Sequence, residues 1–189
     1  MIIYLHGFRS SPASMKSQML KQHMEKRGLG NALWSQQLPA SPAAAIPLIE
    51  HAIATAPTRP TLVGSSLGGF YATALAERHV LPAILINPAV MATQSAEKWI
   101  GTHTMLHSNE TFEFTADDIA VFAALDKRQL SHAANYWLLV EQKDEVLDYR
   151  DAVAYYAGAR QTILPGGNHS FSRWADYLDQ IIAFAGLAP

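Results

Sequence analysis

The sequence predicts an α/β fold in three layers, a mostly parallel sheet of about six strands covered on both faces by helices. Short apolar runs such as Ile2-Ile3-Tyr4-Leu5, Thr61-Leu62-Val63 and Ala83-Ile84-Leu85-Ile86 alternate with longer segments of helical period. Such runs suit strands buried on both faces, and turn residues follow them. One long segment, Val90 to His132, breaks the alternation. It is too long for a simple crossover and predicts a small helical cap inserted between two strands. The chain is therefore read as one domain, residues 1–189, with a cap-like insertion at about 90–132.

Each element follows from local chemistry. Ile2 to His6 reads as a strand ending in His6-Gly7-Phe8-Arg9. Ser11-Pro12 reads as an N-cap with proline at the first helical position, and Gly28 as the stop of a helix reaching Arg27. Ala32 to Gln37 reads as a strand. Ser41-Pro42 opens a helix to about Ala56, with Pro47 predicting a kink or late start. After the Leu62 strand, Phe70 to Arg78 reads as helix. Ala83–Ile86, Tyr136–Val140 and Thr162–Leu164 complete the strands, and Ala152–Ala157 reads as helix. Phe171, Trp174, Leu178, Ile181 and Ile182 fall at helical spacing and predict a closing amphipathic helix. In the insertion, Thr115 with Asp118 three residues on forms a capping box, followed by an Ile119, Phe122 and Leu125 stripe.

Bulk properties exclude several function classes. A hydrophobic content of 49% with 16% charged residues suits a packed core and not a disordered chain. The net charge is −2 with no basic run, which argues against nucleic acid as a partner. There is no cysteine, so disulfides, thiolate metal sites and a cysteine nucleophile are ruled out. No charged n-region or cleavage site opens the chain, and no apolar run approaches the ~20 residues of a membrane span. A cytoplasmic protein without a cofactor is the expectation.

The chemistry centres on Thr61-Leu62-Val63-Gly64-Ser65-Ser66-Leu67-Gly68-Gly69-Phe70. It contains G-x-S-x-G in the frame Gly64-x-Ser66-x-Gly68, since a frame on Ser65 would need glycine where Val63 stands. With a strand before and a helix after, Ser66 sits on a tight turn that presents its hydroxyl above the sheet edge. A serine hydroxyl needs a histidine to take its proton and a carboxylate to orient that histidine. On this architecture the order along the chain is serine, acid, histidine.

That order sorts the eight histidines. His6, His23 and His51 precede Ser66. His79 ends the helix that follows it, and His103, His107 and His132 fall in the insertion. His169 alone follows the last strand, in the loop Gly166-Gly167-Asn168-His169. Asp144 lies just past Leu138-Leu139-Val140 and is the favoured acid. Asp148 competes but fits a helix cap, with Glu141 and Glu145 behind it. An oxyanion would be held by the backbone N–H groups of Leu67 and Phe8, their side chains being incidental. His6 reads as a structural brace for its loop. Arg9 could meet a polar part of the substrate or be solvated. His103 and His107, four apart, suggest two metal ligands on one helix face. No third ligand and no H-E-x-x-H glutamate accompany them, so no metal site is expected. The glycines at 64, 68 and 69 fit neither nucleotide-binding pattern.

With these residues the chain resembles the α/β-hydrolases, and more closely the small bacterial YqiA-like esterases grouped as UPF0227. The markers are Tyr4-Leu5-His6-Gly7-Phe8, Ser10-Ser11-Pro12, Gly64-Ser65-Ser66-Leu67-Gly68-Gly69, Asn87-Pro88, the Asp144 loop and Gly167-Asn168-His169. The resemblance covers essentially the whole chain. It implies hydrolysis of small-molecule acyl esters, including acyl-CoA thioesters, with Ser66, Asp144 and His169 as triad. An acyl-CoA thioesterase or acyltransferase with the same triad, and a catalytically silent ligand-binding homologue, are the alternative expectations.

Overall fold

The computed structural model describes residues 1–90, 96–127 and 129–187. Its strands are β1 (Ile2–Leu5), β2 (Leu33–Trp34), β3 (Thr61–Ser65), β4 (Ala83–Ile86), β5 (Gly101–Thr104), β6 (Thr111–Phe114), β7 (Tyr136–Glu141) and β8 (Arg160–Leu164). Its helices are α1 (Met15–Lys26), α2 (Pro42–Ala54), α3 (Leu67–His79), α4 (Ala116–Leu125), α5 (Tyr149–Tyr155) and α6 (Leu178–Phe184). Six strands form one sheet in the order β2-β1-β3-β4-β7-β8, and every neighbouring pair is parallel. β5 and β6 form a separate antiparallel hairpin.

Period-two alternation divides the core. Ile3, Leu5, Leu62, Leu85, Leu138 and Val140 face α2, α3 and α5. Their sequence neighbours Ile2, Tyr4, Val63, Ile84, Ile86, Trp137 and Leu139 face α1 and the C-terminal segment. Both sets are almost wholly buried, so the strands read as continuous apolar runs. The parallel registers bring Leu5, Gly64, Leu85 and Leu138 level across the sheet. The loops after β1, β3, β4, β7 and β8 therefore emerge along one carboxyl edge, where open α/β sheets carry their ligands.

Several boundaries differ from the sequence reading, each for a local reason. α1 starts at Met15 and not at Pro12. Ser11 first closes a turn, its Oγ accepting from Ala13 N–H at 3.1 Å and its carbonyl from Ser14 N–H at 3.0 Å. β2 is only two residues long. Beyond it Ser35 bonds to Ser17, and Leu38 N–H turns inward to His6. α5 begins earlier than predicted because Asp148 caps it. The closing stripe is buried as expected, but a 3₁₀ turn over Trp174–Tyr177 precedes α6. The insertion carries the predicted helix α4 with its capping box, and in addition the β5–β6 hairpin. Residues 91–95 and 128 of the predicted insertion lie outside the described residues.

Trp137 shows how the lower face is filled. Its ring is fully buried against Tyr177 and Phe184, and its N–H donates to Thr162 Oγ1 at 3.0 Å. Trp137→Ala leaves a cavity in the central strand layer. We expect a loss of about 3–5 kcal/mol in urea unfolding, with the midpoint falling and the m-value unchanged.

Candidate active site

Ser66 is the N-cap of α3 and has φ 55° and ψ −121°, a backbone conformation that ordinarily costs a serine on the order of 1–3 kcal/mol. The surroundings over-determine it. Ser66 N–H donates to the Ile86 carbonyl at 3.0 Å, and the Ser66 carbonyl accepts from Gly69 N–H at 2.9 Å and Ala89 N–H at 3.1 Å. A Cβ on Gly64 would strike the Gly68 carbonyl, and one on Gly68 would strike the Leu5 carbonyl. Only glycine lets strand and helix close around the turn this tightly.

The structure brings Ser66, His169 and Asp144 together. Ser66 Oγ lies 3.1 Å from His169 Nε2. His169 Nδ1 lies 2.8 and 2.9 Å from the two oxygens of Asp144. The Asp144 side chain is 2% exposed. Its Oδ1 also accepts from the N–H groups of Val146 and Leu147, at 2.8 and 2.9 Å. Burial works to raise its pKa, but the bonds from His169, Leu147 and Val146 outweigh it and hold the carboxyl below its ordinary value. An ionised Asp144 only accepts, so Nδ1 carries the hydrogen and Nε2 turns a lone pair to the serine. Asp148 instead caps α5, accepting from Arg150 N–H at 3.0 Å.

Two residues hold the His169 loop in a role the sequence reading does not give them, Glu141 being a lesser acid candidate there and Asn87 part of the Asn87-Pro88 marker. Glu141, at the end of β7, is 0% exposed. Its carboxylate accepts from the N–H of Asn168, the N–H and hydroxyl of Ser172, and the N–H and Nε of Arg173, all at 2.8–3.2 Å. Burial alone would raise its pKa; these donors bring it below the ordinary value. Gly167 passes so close to that carboxylate that a Cβ there would overlap it. Asn87, at the end of β4, donates from Nδ2 to the carbonyls of Asn168 and His169 at 3.0 and 3.1 Å. Its Oδ1 accepts from Glu141 N–H at 3.0 Å. Glu145 accepts from His169 N–H at 2.9 Å. The only signals in the sequence were polar residues at the ends of apolar strands.

The loop after β1 forms the opposite wall. His6 is buried. Leu38 N–H donates to its Nε2 at 3.0 Å, which places the ring hydrogen on Nδ1, facing the Gly7 carbonyl at 3.0 Å. Burial lowers its pKa, with the Gly7 bond opposing and His107 adding to the lowering. His6 thus braces the loop. The Phe8 ring, incidental to the oxyanion role, has a packing role of its own against Trp99, His103, Phe112 and Phe114, with centroids 5.2–5.7 Å away. Arg9 Nε donates to the Thr104 carbonyl and Leu106 N–H to the Arg9 carbonyl, both at 2.7 Å. Arg9 therefore fastens the hairpin to the loop. His103 lies on strand β5 and His107 in the turn beyond, so the two do not share a helix face. Among the described residues no cluster of three metal-ligating side chains exists. The N–H groups of Phe8 and Leu67 have no acceptor among the described residues, as the first N–H of a helix leaves open for Leu67. Between these walls an apolar cavity of about 220 Å³ reaches Ser66 and His169, lined by Leu67, Trp99, Leu106, Phe114, Phe122 and Leu147 among others.

The sheet order and the elbow define an α/β-hydrolase fold, and solved structures agree. A monoacylglycerol lipase from Paleococcus ferrophilus superposes with a TM-score of 0.70 at 15% identity, covering 97% of this chain and 93% of that one. Est1E from Butyrivibrio proteoclasticus gives 0.68 at 14%, with 97% and 85% covered. Mouse alpha/beta hydrolase domain-containing protein 10 gives 0.67 at 16%, with 96% and 89% covered. At these identities the likeness is one of fold. The chain belongs to the uncharacterised protein family UPF0227, whose model matches residues 1–186.

Glu141 and Asp144 are both held below their ordinary pKa in the folded protein. Each therefore adds stability that is complete above its unfolded value near ~4 and is lost as pH falls through the folded value. Glu141→Gln should be less stable by about 3 kcal/mol at pH 7, because it leaves buried donors facing an amide. Its further loss on acidification should be shallower than that of the wild type. Urea unfolding between pH 7 and 3.5 measures both, and parallel acid limbs would contradict the ionised Glu141.

Proposed function

We propose that the protein is a serine hydrolase that cleaves carboxylic acyl esters through an acyl-enzyme intermediate. One observation carries this reading: the unbroken chain from Ser66 Oγ through His169 to Asp144, at the mouth of an apolar cavity. His169 Nε2 takes the hydroxyl proton as Ser66 Oγ attacks the acyl carbon. Asp144 keeps the imidazole in the tautomer that leaves Nε2 free and stabilises the imidazolium that forms. The open N–H groups of Phe8 and Leu67 receive the oxyanion. The imidazolium then protonates the leaving alcohol. Water, deprotonated by His169, attacks the acyl-Ser66 ester and releases the acid. The acyl chain occupies the cavity beneath the hairpin and α4.

A thioester acyl donor fits the same sequence of steps, with a thiol leaving, and an acyltransferase differs only in the second nucleophile. A silent ligand-binding module would need the cavity but not the strained Ser66 backbone. Holding that strain favours the enzyme, since it sets the hydroxyl at the cavity mouth.

On a short-chain chromogenic ester, Ser66→Ala should lower kcat by roughly 10⁴–10⁶-fold and Asp144→Asn by about 10⁴-fold, with folding intact. A fluorophosphonate should label the wild type and not Ser66→Ala. Turnover or labelling that survives in clean Ser66→Ala protein removes the mechanism.

A further inference from the structure

A second cavity, of about 320 Å³, meets Ser66 and His169 from the other side of Leu106. Its lining differs in kind from the apolar one. It carries the hydroxyl-bearing residues Ser10, Ser14 and Ser170, the His107 imidazole and the Lys16 ammonium. Lys16 Nζ donates to the Ser170 carbonyl at 2.8 Å, one residue from His169. That is its one hydrogen bond among the described residues, so further N–H donors remain for a ligand. Burial draws its pKa down to about 8 against the pull of Asp144 and Glu141, which leaves it cationic at neutral pH. Those two carboxylates are already bonded, Asp144 to His169, Val146 and Leu147, and Glu141 to the 168–173 backbone.

Ser14 adds an independent observation. Its Oγ is buried yet has no hydrogen-bond partner among the described residues. The neighbouring Tyr4 phenol is held protonated by burial, and Ser14 is near enough to favour the phenolate without reaching hydrogen-bond geometry. A buried hydroxyl without a partner is costly unless something else completes it. Ser14 is also the N-cap of α1 but makes no side-chain cap, and the first turn of α1 holds no acidic residue. The positive end of that helix thus lies beside Lys16 with no acidic residue in its own first turn, the nearby carboxylates being Asp144 and Glu141.

We propose that this cavity is the leaving-group subsite, and that it selects acyl esters whose alcohol part bears an anionic group, phosphate or carboxylate. The inference rests on the esterase reading above. The first cavity also has cations at its edge, but Arg9 is tied to the Thr104 carbonyl and Lys98 lies over the Trp99 ring. An apolar acyl chain therefore partitions there, and the other side of the scissile bond falls to the cavity with Lys16. Lys16 Nζ and Ser14 Oγ–H donate to the anion, and His169, between the two cavities, protonates the departing oxygen. No atom of the anionic group takes part in the bond change.

The test compares butanoyl esters of glycerol, glycerol 3-phosphate and glycerate, with monosuccinyl glycerol placing the charge on the acyl side instead. At least one of the two esters with an anionic alcohol should show kcat/KM about tenfold above the glycerol ester, as a charge-assisted bond supplies. The one preferred identifies phosphate or carboxylate. Lys16→Met, which keeps the aliphatic stem, should bring that ratio close to one, whereas Lys16→Arg should retain most of it. The ratio is the readout, because loss of the Ser170 bond slows all esters alike. Free glycerol 3-phosphate or glycerate should also inhibit wild-type cleavage of the glycerol ester competitively, while free glycerol should not. This second measurement needs no variant. A wild-type ratio near one, a ratio unchanged in Lys16→Met, or a preference that follows charge on the acyl side overturns the subsite and leaves the esterase standing. No cleavage of any ester by folded wild type overturns both.

Discussion

The turn from β3 into α3 is the constraint on which everything else depends. A strand buried on both faces must reverse into a helix within one residue, and that residue is forced to φ 55°. Three contacts hold it there: the Ile86 carbonyl, the Ala89 N–H and the closure of Gly64 on Gly68. Strain of this kind recurs nearby. Of the five non-glycine residues with positive φ among the described residues, Arg9, Ser66, Asn87 and Phe171 all lie on loops leaving the carboxyl edge. Val80, in the αL cap of α3, is the one elsewhere. The sheet is regular, and the departures from regularity are concentrated at the edge where Ser66, Asp144 and His169 stand.

The imidazole is the harder group to place, because it sits on a loop and not on a strand end. A free loop would spread it over many positions at a backbone cost of roughly 1–2 kcal/mol for each residue fixed. The chain solves this with a buried charge. Glu141 could not be taken out of water alone, but five donors from residues 168–173 surround it, most of them backbone N–H groups that would otherwise need partners of their own. Asn87 then joins the loop carbonyls to β7. The carboxylate and the loop are mutually dependent: without the loop the charge is unsolvated, and without the charge the loop N–H groups are unmet.

This explains what was legible in the sequence. The strands and the elbow are local signals, carried by apolar runs and by Gly64, Ser66 and Gly68. That Ser66, Asp144 and His169 would meet at one edge could be read from their order, because a parallel sheet sends every β-to-α loop to the same edge. The part Glu141 and Asn87 play in holding the His169 loop could not. Their partners lie 27 and 81 positions away, and nothing local marks a strand-end carboxylate as buried. The hairpin escaped for another reason. Gly101–Thr104 and Thr111–Phe114 each span four residues, and most of them are not buried. Too few apolar positions exist there to impose a period of two. The spacing of His103 and His107 then imitated a helix that does not form.

The hairpin gives the Phe8 side chain a purpose that backbone reasoning missed. Alone, two four-residue strands are marginal in water. This pair is stabilised by folding an aromatic cluster around Phe8 and by the Arg9 bonds to Thr104 and Leu106. The same cluster fixes the backbone on which the Phe8 N–H stands. Phe114 and Phe122, packed on each other at 5.7 Å, belong both to the core and to the apolar cavity wall. Wall, roof and N–H donor are therefore one packed unit, and the insertion cannot be removed without also releasing the loop opposite Ser66. An α/β sheet of this size has little interior to spare for a pocket. Building the pocket from an insertion anchored on the loop after β1 leaves the sheet core unbroken.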